Sequence, residues 1–589
     1  MDVYAYSKIK DAVALRGKTR LYGDFDDRIN ALVSGLFLRV DMTAVVDFFR
    51  YRLDRFAAGE FFGKLMRAAC LIYSYTKDDR LRAVTDRAAA DIMSVQDEDG
   101  DISTSPKEKQ PNGSGGADLW ERKYVLLGLW EYYMITSDKA VLDCMMRLAE
   151  YTASQIGDPP KTPVTETGWA FCGIETSSIL EPVMRLYNLT GEPELLRLAS
   201  HIVDSGACGR ENIFDAVLSG RDPKDIGSNG DPAQSIAKAY EMMSCFEGLL
   251  EYYRATGIEK YRKCAEIFIK KINLQEITYL GSGGADAPYN LGPGTGEQWN
   301  NTFFEQANPD INLSMETCVT VTYMKLMLNY YRLTGDPALI DKIEVSAYNA
   351  LSGAMKPDGS FFDYFPKFNG VRSTKVNFSY DINGIPLSCC TANGPMGMAI
   401  LPGMTYCESG GRLIVNLYIP SECDKLRLET DYPESGKIKL TVLQGGEYEI
   451  GVRIPGFCRK FSLSHGYTPD NGYAVMKKEW RAGEVITLLL DMPLICHKSP
   501  GSVNPAAKDL VLFTYGPLVL ARDKSRDPDF DRPVSVTPGE ITDFEILRDP
   551  FRITVNGCVF IPYHKAGASW DESTEYKCWL LNNKNPVYA

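Results

Sequence analysis

The sequence predicts an α+β multidomain protein in which a helical (α/α)6 toroid is followed by a C-terminal all-β region. Two observations support this fold class. A helix–turn–helix phrase recurs five times before residue 340, and the hydrophobic period changes from 3.6 to 2 near residue 411. We therefore expect residues 1–410 to form the toroid and residues 411–589 to form one β-sandwich or two small ones.

The recurring phrase is a helical run that ends in aromatic residues and Thr, followed by an acidic or Gly-containing turn and a second helical run. The threonines are 60, 54, 66 and 78 positions apart, which indicates one helical hairpin per repeat with loops of variable length. Five hairpins, with a sixth built from residues 28–51 and the helix after Cys390, would close a ring, which we favour over an open solenoid. The starts of its inner helices would line one concave mouth. The recurring threonines are Thr76, Thr136, Thr190, Thr256 and Thr334.

The C-terminal third has the pattern of strands. Residues 437–443 and 448–454 alternate between polar and apolar side chains, and the Gly-Gly pair between them is typical of a hairpin turn. No low-complexity linker separates the helical and strand regions, so we expect them to pack as one body. Further strands are predicted at 485–490, 510–514, 518–521 and 551–561.

Composition and charge exclude several classes of partner. The 589 residues are 44% hydrophobic and 24% charged, which excludes general disorder. With 64 Lys and Arg against 77 Asp and Glu, the net charge is −13, which argues against binding to nucleic acid or to an anionic membrane. No apolar run approaches the roughly 18 residues of a membrane span. The first residues lack the pattern of a signal peptide, so we expect a cytoplasmic location.

The patterns of glycine, cysteine and histidine restrict the kinds of functional site that this chain can hold. The Gly-rich stretches at 281–285 and 292–297 lack the signatures of nucleotide-binding loops, so we expect a long loop over the mouth. The 15 cysteines are scattered and odd in number, and most are expected to be small buried residues. Because there are four histidines, metal or acid–base chemistry must rely mainly on Cys, Asp and Glu.

Charged and aromatic residues mark the starts of the predicted inner helices, and we expect them to face the mouth. A second explanation stays open, because a carboxylate in the first turn of a helix is stabilised by the helix dipole and a lysine beside it can simply pair with it. The residues are Glu60, Lys64, Glu121, Lys123, Tyr124, Glu175, Lys238 and Tyr240.

A carboxylate and three thiols form the strongest candidate site. Glu316 and Cys318 lie at one helix start, and the neighbours Cys389 and Cys390 lie at another. Three soft ligands and one carboxylate suit tetrahedral Zn²⁺. The spacing alone leaves packed cysteines as the alternative, because C-C is not the C-x-x-C knuckle.

The order of these motifs resembles a known family. Gly-Glu ending at Glu297, Glu-Thr-Cys ending at Cys318 and Ser-Cys-Cys ending at Cys390 are similar to the β-L-arabinofuranosidase family, glycoside hydrolase family 127 and its relatives. The resemblance spans almost the whole chain, and the combination of Glu-Thr-Cys with Cys-Cys is its most specific part. It also covers residues 59–64, 348–353, 361–364, 429–433, 453–456 and 515–519.

The resemblance implies a role for each matching residue of the thiol cluster. A zinc ion would be held by Glu316, Cys318, Cys389 and Cys390, and Cys389 would also be the nucleophile. A free thiol has a pKa of roughly 8.5, and coordination to zinc removes its proton.

The remaining implied roles describe the reaction. Glu297 would be the general acid/base, with Glu305 as the alternative if the loop register differs, and Tyr364 would lie near the sugar. The implied activity is that of a retaining exo-glycosidase that releases a terminal furanoside such as β-L-arabinofuranose from an oligosaccharide or glycoconjugate.

The sequence also departs from the family, whose members place histidines around the sugar. The matching stretches 121–124, 173–175 and 237–240 contain none, and their lysines suggest an acidic or differently substituted sugar. The substrate-binding candidates are Tyr364, Lys123, Tyr124, Glu175 and Tyr240.

Two other functions stay open from the sequence. One is a different (α/α)6 glycosidase or lyase that uses carboxylates alone, and the other is a carbohydrate-binding protein without catalysis. The β region could cap the mouth, bind glycan or form a homodimer.

Overall fold

The computed structural model describes residues 2–169, 172–228, 236–285, 297–310, 315–376 and 378–583. Most of the Gly-rich loop expected over the mouth, residues 286–296, lies outside these ranges. The described α-helices are α1 (Asp24–Leu32), α2 (Met42–Arg50), α3 (Glu60–Thr76), α4 (Asp79–Ser94), α5 (Asp118–Thr136), α6 (Lys139–Gln155), α7 (Ile174–Ser177), α8 (Leu180–Thr190), α9 (Pro193–Asp204), α10 (Ile213–Leu218), α11 (Ala239–Thr256), α12 (Glu259–Gln275), α13 (Thr302–Glu305), α14 (Thr317–Thr334), α15 (Ala338–Ser346), α16 (Ser352–Ala354), α17 (Cys389–Ala399) and α18 (Leu401–Thr405).

Six inner helices form a closed ring. They are α3, α5, α8, α11, α14 and α17; each packs against the next, and α17 packs back onto α3. The outer helices α4, α6, α9, α12 and α15 each pack on the inner helix that precedes them, and α1 packs on α17. The predicted (α/α)6 toroid is therefore confirmed, including its sixth unit from the N-terminal helices and α17.

The recurring threonines end the inner helices. Each of the five is the last helical residue, and the next residue has a left-handed backbone with φ between 54° and 74°. Each Thr hydroxyl donates to the carbonyl four residues earlier at 2.8–2.9 Å and accepts the N–H two residues later. One side chain thus bonds on both sides of the helix end, where backbone groups lack helical partners.

The helices α3 and α5 approach each other at a pair of glycines. A Cβ on Gly63 would lie 1.7 Å from the Tyr124 carbonyl oxygen, and a Cβ on Gly128 would lie 2.9 Å from the Gly63 Cα. Because backbone takes the place of side chains at this crossing, the first turn of α3 lies close to the second and third turns of α5.

After α18 the described residues form strands and no further α-helix, as predicted. The hairpin expected around the Gly-Gly pair is wrong, because strands Lys437–Val442 and Gly446–Arg453 lie in different sheets. The strands are β1 (Ala14–Leu15), β2 (Arg20–Leu21), β3 (Asn369–Gly370), β4 (Tyr380–Ile382), β5 (Ile385–Leu387), β6 (Tyr406–Ser409), β7 (Arg412–Val415), β8 (Ser421–Glu422), β9 (Leu426–Thr430), β10 (Lys437–Val442), β11 (Gly446–Arg453), β12 (Phe461–Leu463), β13 (Thr468–Asp470), β14 (Tyr473–Trp480), β15 (Val485–Leu490), β16 (Leu494–Lys498), β17 (Leu510–Tyr515), β18 (Leu518–Asp523), β19 (Gly539–Ile541), β20 (Glu545–Arg548), β21 (Phe551–Val555), β22 (Cys558–Pro562), β23 (Tyr576–Lys577) and β24 (Leu580–Leu581).

These strands form three larger sheets. Two have six strands, in the orders β1-β6-β7-β11-β14-β13 and β12-β15-β10-β9-β8-β2, and a third has ten strands. Pairing is antiparallel in these two sheets except between β7 and β11, where Ile450 lies opposite Leu413. The N-terminal strands β1 and β2 pair with β6 and β8, so this segment joins the β region rather than the toroid. The domain division at residue 410 stays a prediction.

Buried polar contacts connect the β region to the toroid. Arg453 on β11 is fully buried; it donates to Glu344 on α15 at 2.7 Å and also pairs with Asp341. Asn349 accepts the Val519 N–H at 2.8 Å from the ten-stranded sheet. By length and composition, no single described helix could cross a membrane, and one bent pair passes that test together, Asp24–Phe37 with Met42–Arg50.

Candidate active site

The starts of the inner helices surround a pocket of about 330 Å³ at the mouth of the toroid. Its aromatic wall is continuous, since the rings of Phe56, Trp169, Trp120 and Tyr240 contact one another in that order with centroids 5.4–5.8 Å apart. Its polar lining holds ionisable groups of both signs. These are Glu60, Lys64, Lys238, Glu241, Glu297, Glu316, Cys318, Tyr364 and Cys389.

Two helix starts bring the predicted donor set together. Glu316 directly precedes α14, Cys318 is in its first turn, and Cys389 and Cys390 begin α17. Cys390 Sγ lies 3.5 Å from both Cys318 Sγ and Glu316 Oε1, and it lies 3.9 Å from Cys389 Sγ. All four donor atoms lie within 4.8 Å of one another.

This donor set fits a zinc ion. Around a tetrahedral Zn²⁺ with Zn–S bonds of about 2.3 Å, neighbouring sulfurs are roughly 3.8 Å apart, which is close to the separations observed. Glu316 Oε2 is buried and has no hydrogen-bond partner among the described residues. Burial raises the pKa of Glu316 well above its usual range, and the charge of Glu297 adds to this effect. A buried carboxylate oxygen without a partner beside three thiols is the environment that a cation would stabilise.

Cys389 is the member of this cluster that is partly open to the pocket, whereas Cys318 and Cys390 are buried. Hydrogen bonds from Cys318 and Cys390 hold the pKa of Cys389 well below its usual range, although burial opposes them. The ammonium of Lys64 acts in the same direction as the two thiols. The cluster therefore presents its most acidic sulfur to the pocket.

Tyr364 connects Cys389 to the predicted acid/base. Its hydroxyl donates to Glu297 Oε1 at 2.7 Å and accepts from the Cys389 thiol at 3.1 Å. Because both groups contact the same oxygen, the sulfur and the carboxylate oxygen are at most about 6 Å apart, a limit that includes the roughly 5–5.5 Å that retaining glycosidases use.

Backbone pairing holds Glu297 in front of α11. Ala239 N–H donates to the Glu297 carbonyl at 2.9 Å, and Trp299 N–H donates to the Ala237 carbonyl at 2.9 Å. The Glu297 carboxylate is also paired with Lys238. The alternative acid/base, Glu305, lies elsewhere; it accepts from Ser502 at 2.6 Å in the segment before β17.

The other predicted substrate-binding residues fall into two groups. Tyr240 lines the pocket, as do Glu60 and Lys64, which were expected to face the mouth. Lys123, Tyr124 and Glu175 are placed differently from the prediction, because among the described residues they are not part of the lining. They are almost fully buried one layer behind it.

These three residues contact the pocket wall from behind. Tyr124 hydrogen-bonds the Tyr240 hydroxyl, and Lys123 Nζ lies 4.2 Å from the ring centroid of Trp120. Glu175 accepts the Trp169 N–H at 2.7 Å. The sequence identified the correct helix starts, but the rotation of each helix about its axis decided which side chain reaches the pocket.

Sequence reasoning missed several lining residues. Trp120 directly precedes the predicted Glu121 on α5, so an aromatic at that helix start was an available signal. Trp169 and Phe378 lie outside the helices and strands, where no periodicity marks them. Glu121 itself is fully buried and accepts the Gly59 N–H at 3.0 Å.

The chain is similar to known proteins over nearly its whole length. The family model described as the GH127 catalytic domain of β-L-arabinofuranosidase matches residues 24–402, and the GH127 middle-domain model matches residues 412–492. A comparison with curated proteins finds no match.

Three solved structures share the fold. One is a GH127 β-arabinofuranosidase (TM-score 0.73, 17% identity, 97% of this chain and 98% of that chain). Another is a GH127 β-L-arabinofuranosidase from Geobacillus stearothermophilus T6 (TM-score 0.70, 18% identity, 96% and 100% of the two chains). A third is a glycoside hydrolase (TM-score 0.68, 16% identity, 98% of each chain). The catalytic-domain model alone matches more than half of the residues of this chain, so the chain belongs to glycoside hydrolase family 127, the β-L-arabinofuranosidase family.

Proposed function

We propose that this protein is a retaining exo-glycosidase that releases a terminal furanoside such as β-L-arabinofuranose from an oligosaccharide or glycoconjugate. Cys389 is the nucleophile in this proposal and Glu297 is the general acid/base. The observation that carries it is the Tyr364 hydroxyl, which contacts both groups and keeps them within about 6 Å of each other, a range that includes the spacing of a double displacement. A pocket of about 330 Å³ is at the small end of ligand sites, which suits one terminal sugar ring.

In the first step the Cys389 thiolate attacks the anomeric carbon. Glu297, protonated, gives its proton to the glycosidic oxygen, which leaves with the electron pair of the broken C–O bond. The sugar is then joined to Cys389 by a C–S bond. In the second step Glu297 takes a proton from water, the water oxygen attacks the anomeric carbon, and the electron pair of the C–S bond returns to sulfur. Two inversions at one carbon give overall retention.

Side chains around the reacting groups position them. Glu316, Cys318, Cys389 and Cys390 would hold the zinc ion, which when bound keeps the Cys389 sulfur deprotonated and fixes its direction. Tyr364 holds the Glu297 carboxylate and the sulfur on the same side of the pocket. The aromatic wall excludes water from the sugar face that it covers.

Metal content and nucleophile substitution test this proposal together. In protein purified without an affinity metal, we expect about one zinc per chain, and loss of that zinc in Cys318→Ala. Cys389→Ala should lower the turnover of an aryl β-L-arabinofuranoside by about 10⁴-fold or more, because no other group replaces the sulfur. Cys144→Ala is the matched control, since Cys144 is a buried cysteine on the outer helix α6.

The activity assay and the metal analysis test separate parts of this proposal. Full activity in Cys389→Ala would overturn the nucleophile assignment and leave a reaction run by carboxylates alone. Fresh, reduced wild-type protein without zinc would overturn the metal site. If the wild type hydrolysed no furanoside, the proposed substrate class would be wrong.

A further inference from the structure

Both lysines in the described lining of the pocket are already paired with carboxylates. Lys64 Nζ lies 2.9 Å from Glu60 Oε2, an oxygen that also accepts a hydrogen bond from Trp120 Nε1 at 2.6 Å. Lys238 is paired with Glu297. An anionic sugar would therefore have to compete with protein carboxylates for a positive partner.

Carboxylates outnumber ammonium groups in this pocket, since its described lining holds four glutamates and two lysines. Three of the glutamates already have a partner or a role. Glu60 pairs with Lys64, Glu297 is the proposed acid/base, and Glu316 belongs to the thiol cluster. The fourth, Glu241, has no assigned role, and its own backbone N–H donates a hydrogen bond to its carboxylate.

Glu241 is placed to meet a ligand. It lies in the first turn of α11, lines the pocket and is 4% exposed, and its Oε2 has no hydrogen-bond partner among the described residues. Burial raises the pKa of Glu241 to about 7; the ammonium of Lys238 opposes this effect, and the charges of Glu297 and Glu175 add to it. Buried acceptors in native proteins are nearly always satisfied, so a donor from a bound molecule is the expected partner.

We propose that Glu241 is a specificity-determining residue that accepts a hydrogen bond from one hydroxyl of the bound sugar and disfavours a sugar that carries a carboxylate. The inference rests on the proposed function. Above about pH 7, where the Glu241 carboxyl is ionised, a hydroxyl donor satisfies the free oxygen, whereas a sugar carboxylate at that position would meet a like charge with no unpaired lysine in the described lining. The lysines of this pocket therefore do not select an acidic sugar, in contrast to the interpretation suggested by the sequence.

Calorimetric binding of a furanose ring that cannot be hydrolysed tests this role. The probe is 1,4-anhydro-L-arabinitol, compared with three analogues that each lack one hydroxyl and with the analogue whose hydroxymethyl group is oxidised to a carboxylate. The proteins are the wild type, Glu241→Gln, and Glu447→Gln as an exposed control on β11. Thermal unfolding and zinc content establish that each variant is folded and loaded.

We expect Glu241→Gln to bind the neutral ring about tenfold more weakly than the wild type, because a charge-assisted hydrogen bond becomes a neutral one. For one of the three deoxy analogues the two proteins should bind equally, which identifies the hydroxyl that Glu241 accepts from. The wild type should bind the carboxylate analogue at least tenfold more weakly than the neutral ring.

Equal affinity of wild type and Glu241→Gln for the neutral ring would overturn the inference. Tight binding of the carboxylate analogue by the wild type would also overturn it, and this result needs no variant. The inference would fail as well if the wild type did not bind the neutral ring. Because the probe has no bond to cleave, these outcomes are independent of the aryl furanoside assay that tests hydrolysis.

Discussion

Lys123 carries a buried ammonium group behind the aromatic wall of the pocket. Its Nζ has no hydrogen-bond partner among the described residues and lies 4.2–5.7 Å from the ring centroids of Trp120, Tyr124 and Tyr240. Burial lowers the pKa of Lys123 to about 7, although the carboxylate of Glu181 opposes the shift. The aromatic faces stabilise a buried cation by about 2 kcal/mol, which is less than full desolvation costs.

We expect Lys123→Met to stabilise the protein, most strongly at acidic pH. The pKa of this lysine is lower in the folded state than in the unfolded state, so the folded state binds fewer protons between about pH 7 and 10.5. The penalty of the wild-type lysine is complete below pH 7 and disappears as the pH rises to 10.5. Thermal unfolding from pH 6 to 10 should show a gain in Tm that shrinks with pH.

Lys139→Met is the control for this prediction, because Lys139 is an exposed lysine on α6. Its substitution should leave Tm nearly unchanged at every pH. A gain from Lys123→Met of the same size at pH 6 and pH 10 would contradict the charge argument and indicate a packing effect instead.

The crossing of α3 and α5 sets the position of the pocket wall. Gly63 lies one residue before Lys64 and packs against the Tyr124 carbonyl, and the Tyr124 hydroxyl bonds Tyr240 in the wall. A side chain at Gly63 would push the two helices apart and move both sides of the pocket.

Gly63→Ala should therefore destabilise the fold despite the better helix propensity of alanine. The new Cβ would lie 1.7 Å from backbone, which cannot move aside as a side chain can, and overpacking of this kind costs about 1–3 kcal/mol or more. Urea unfolding should show this loss, and turnover should fall with it. Gly403→Ala, whose Cβ would have its nearest neighbour at 4.0 Å in the helix α18, should be neutral or slightly stabilising. Equal stability of the two variants would contradict the crossing argument.

Arg453 joins the β region to the outer ring of helices. Its guanidinium is fully buried between β11 and α15, where it contacts Glu344, Asp341 and the Asn416 carbonyl. Burial raises the pKa of Glu344 to about 7, and Arg453 is the charge that opposes this effect.

Arg453→Met should lower the free energy of unfolding by roughly 3–5 kcal/mol, because it leaves the Glu344 carboxyl buried without its partner. Scanning calorimetry should show a lower Tm, or a transition that splits because the toroid and the β region no longer unfold together. Arg427→Met removes an exposed pair with Glu422 and should change Tm little. An unchanged transition in Arg453→Met would mean that this contact does not couple the two regions.

The overall fold was predictable because its signals are local. Each recurring Thr ends its helix through bonds to groups within four residues, and polar–apolar alternation along strands such as β10 records which face is buried. The motifs around Glu316 and Cys389 were also readable, since each lies within one helix start. The N-terminal strands β1 and β2 were not predicted, because their pairing partners are about 400 residues away in sequence.

The site itself was decided largely by tertiary structure. The contact of Tyr364 with both Glu297 and Cys389, and the position of Glu297 rather than Glu305 in the pocket, depend on how loops distant in sequence meet. The sequence determined which residue types lie at the helix starts. Tertiary packing alone decided which of them face the sugar, because a helix start does not specify the rotation of its axis against its neighbours: Glu241 reaches the pocket, while Lys123 lies behind the wall.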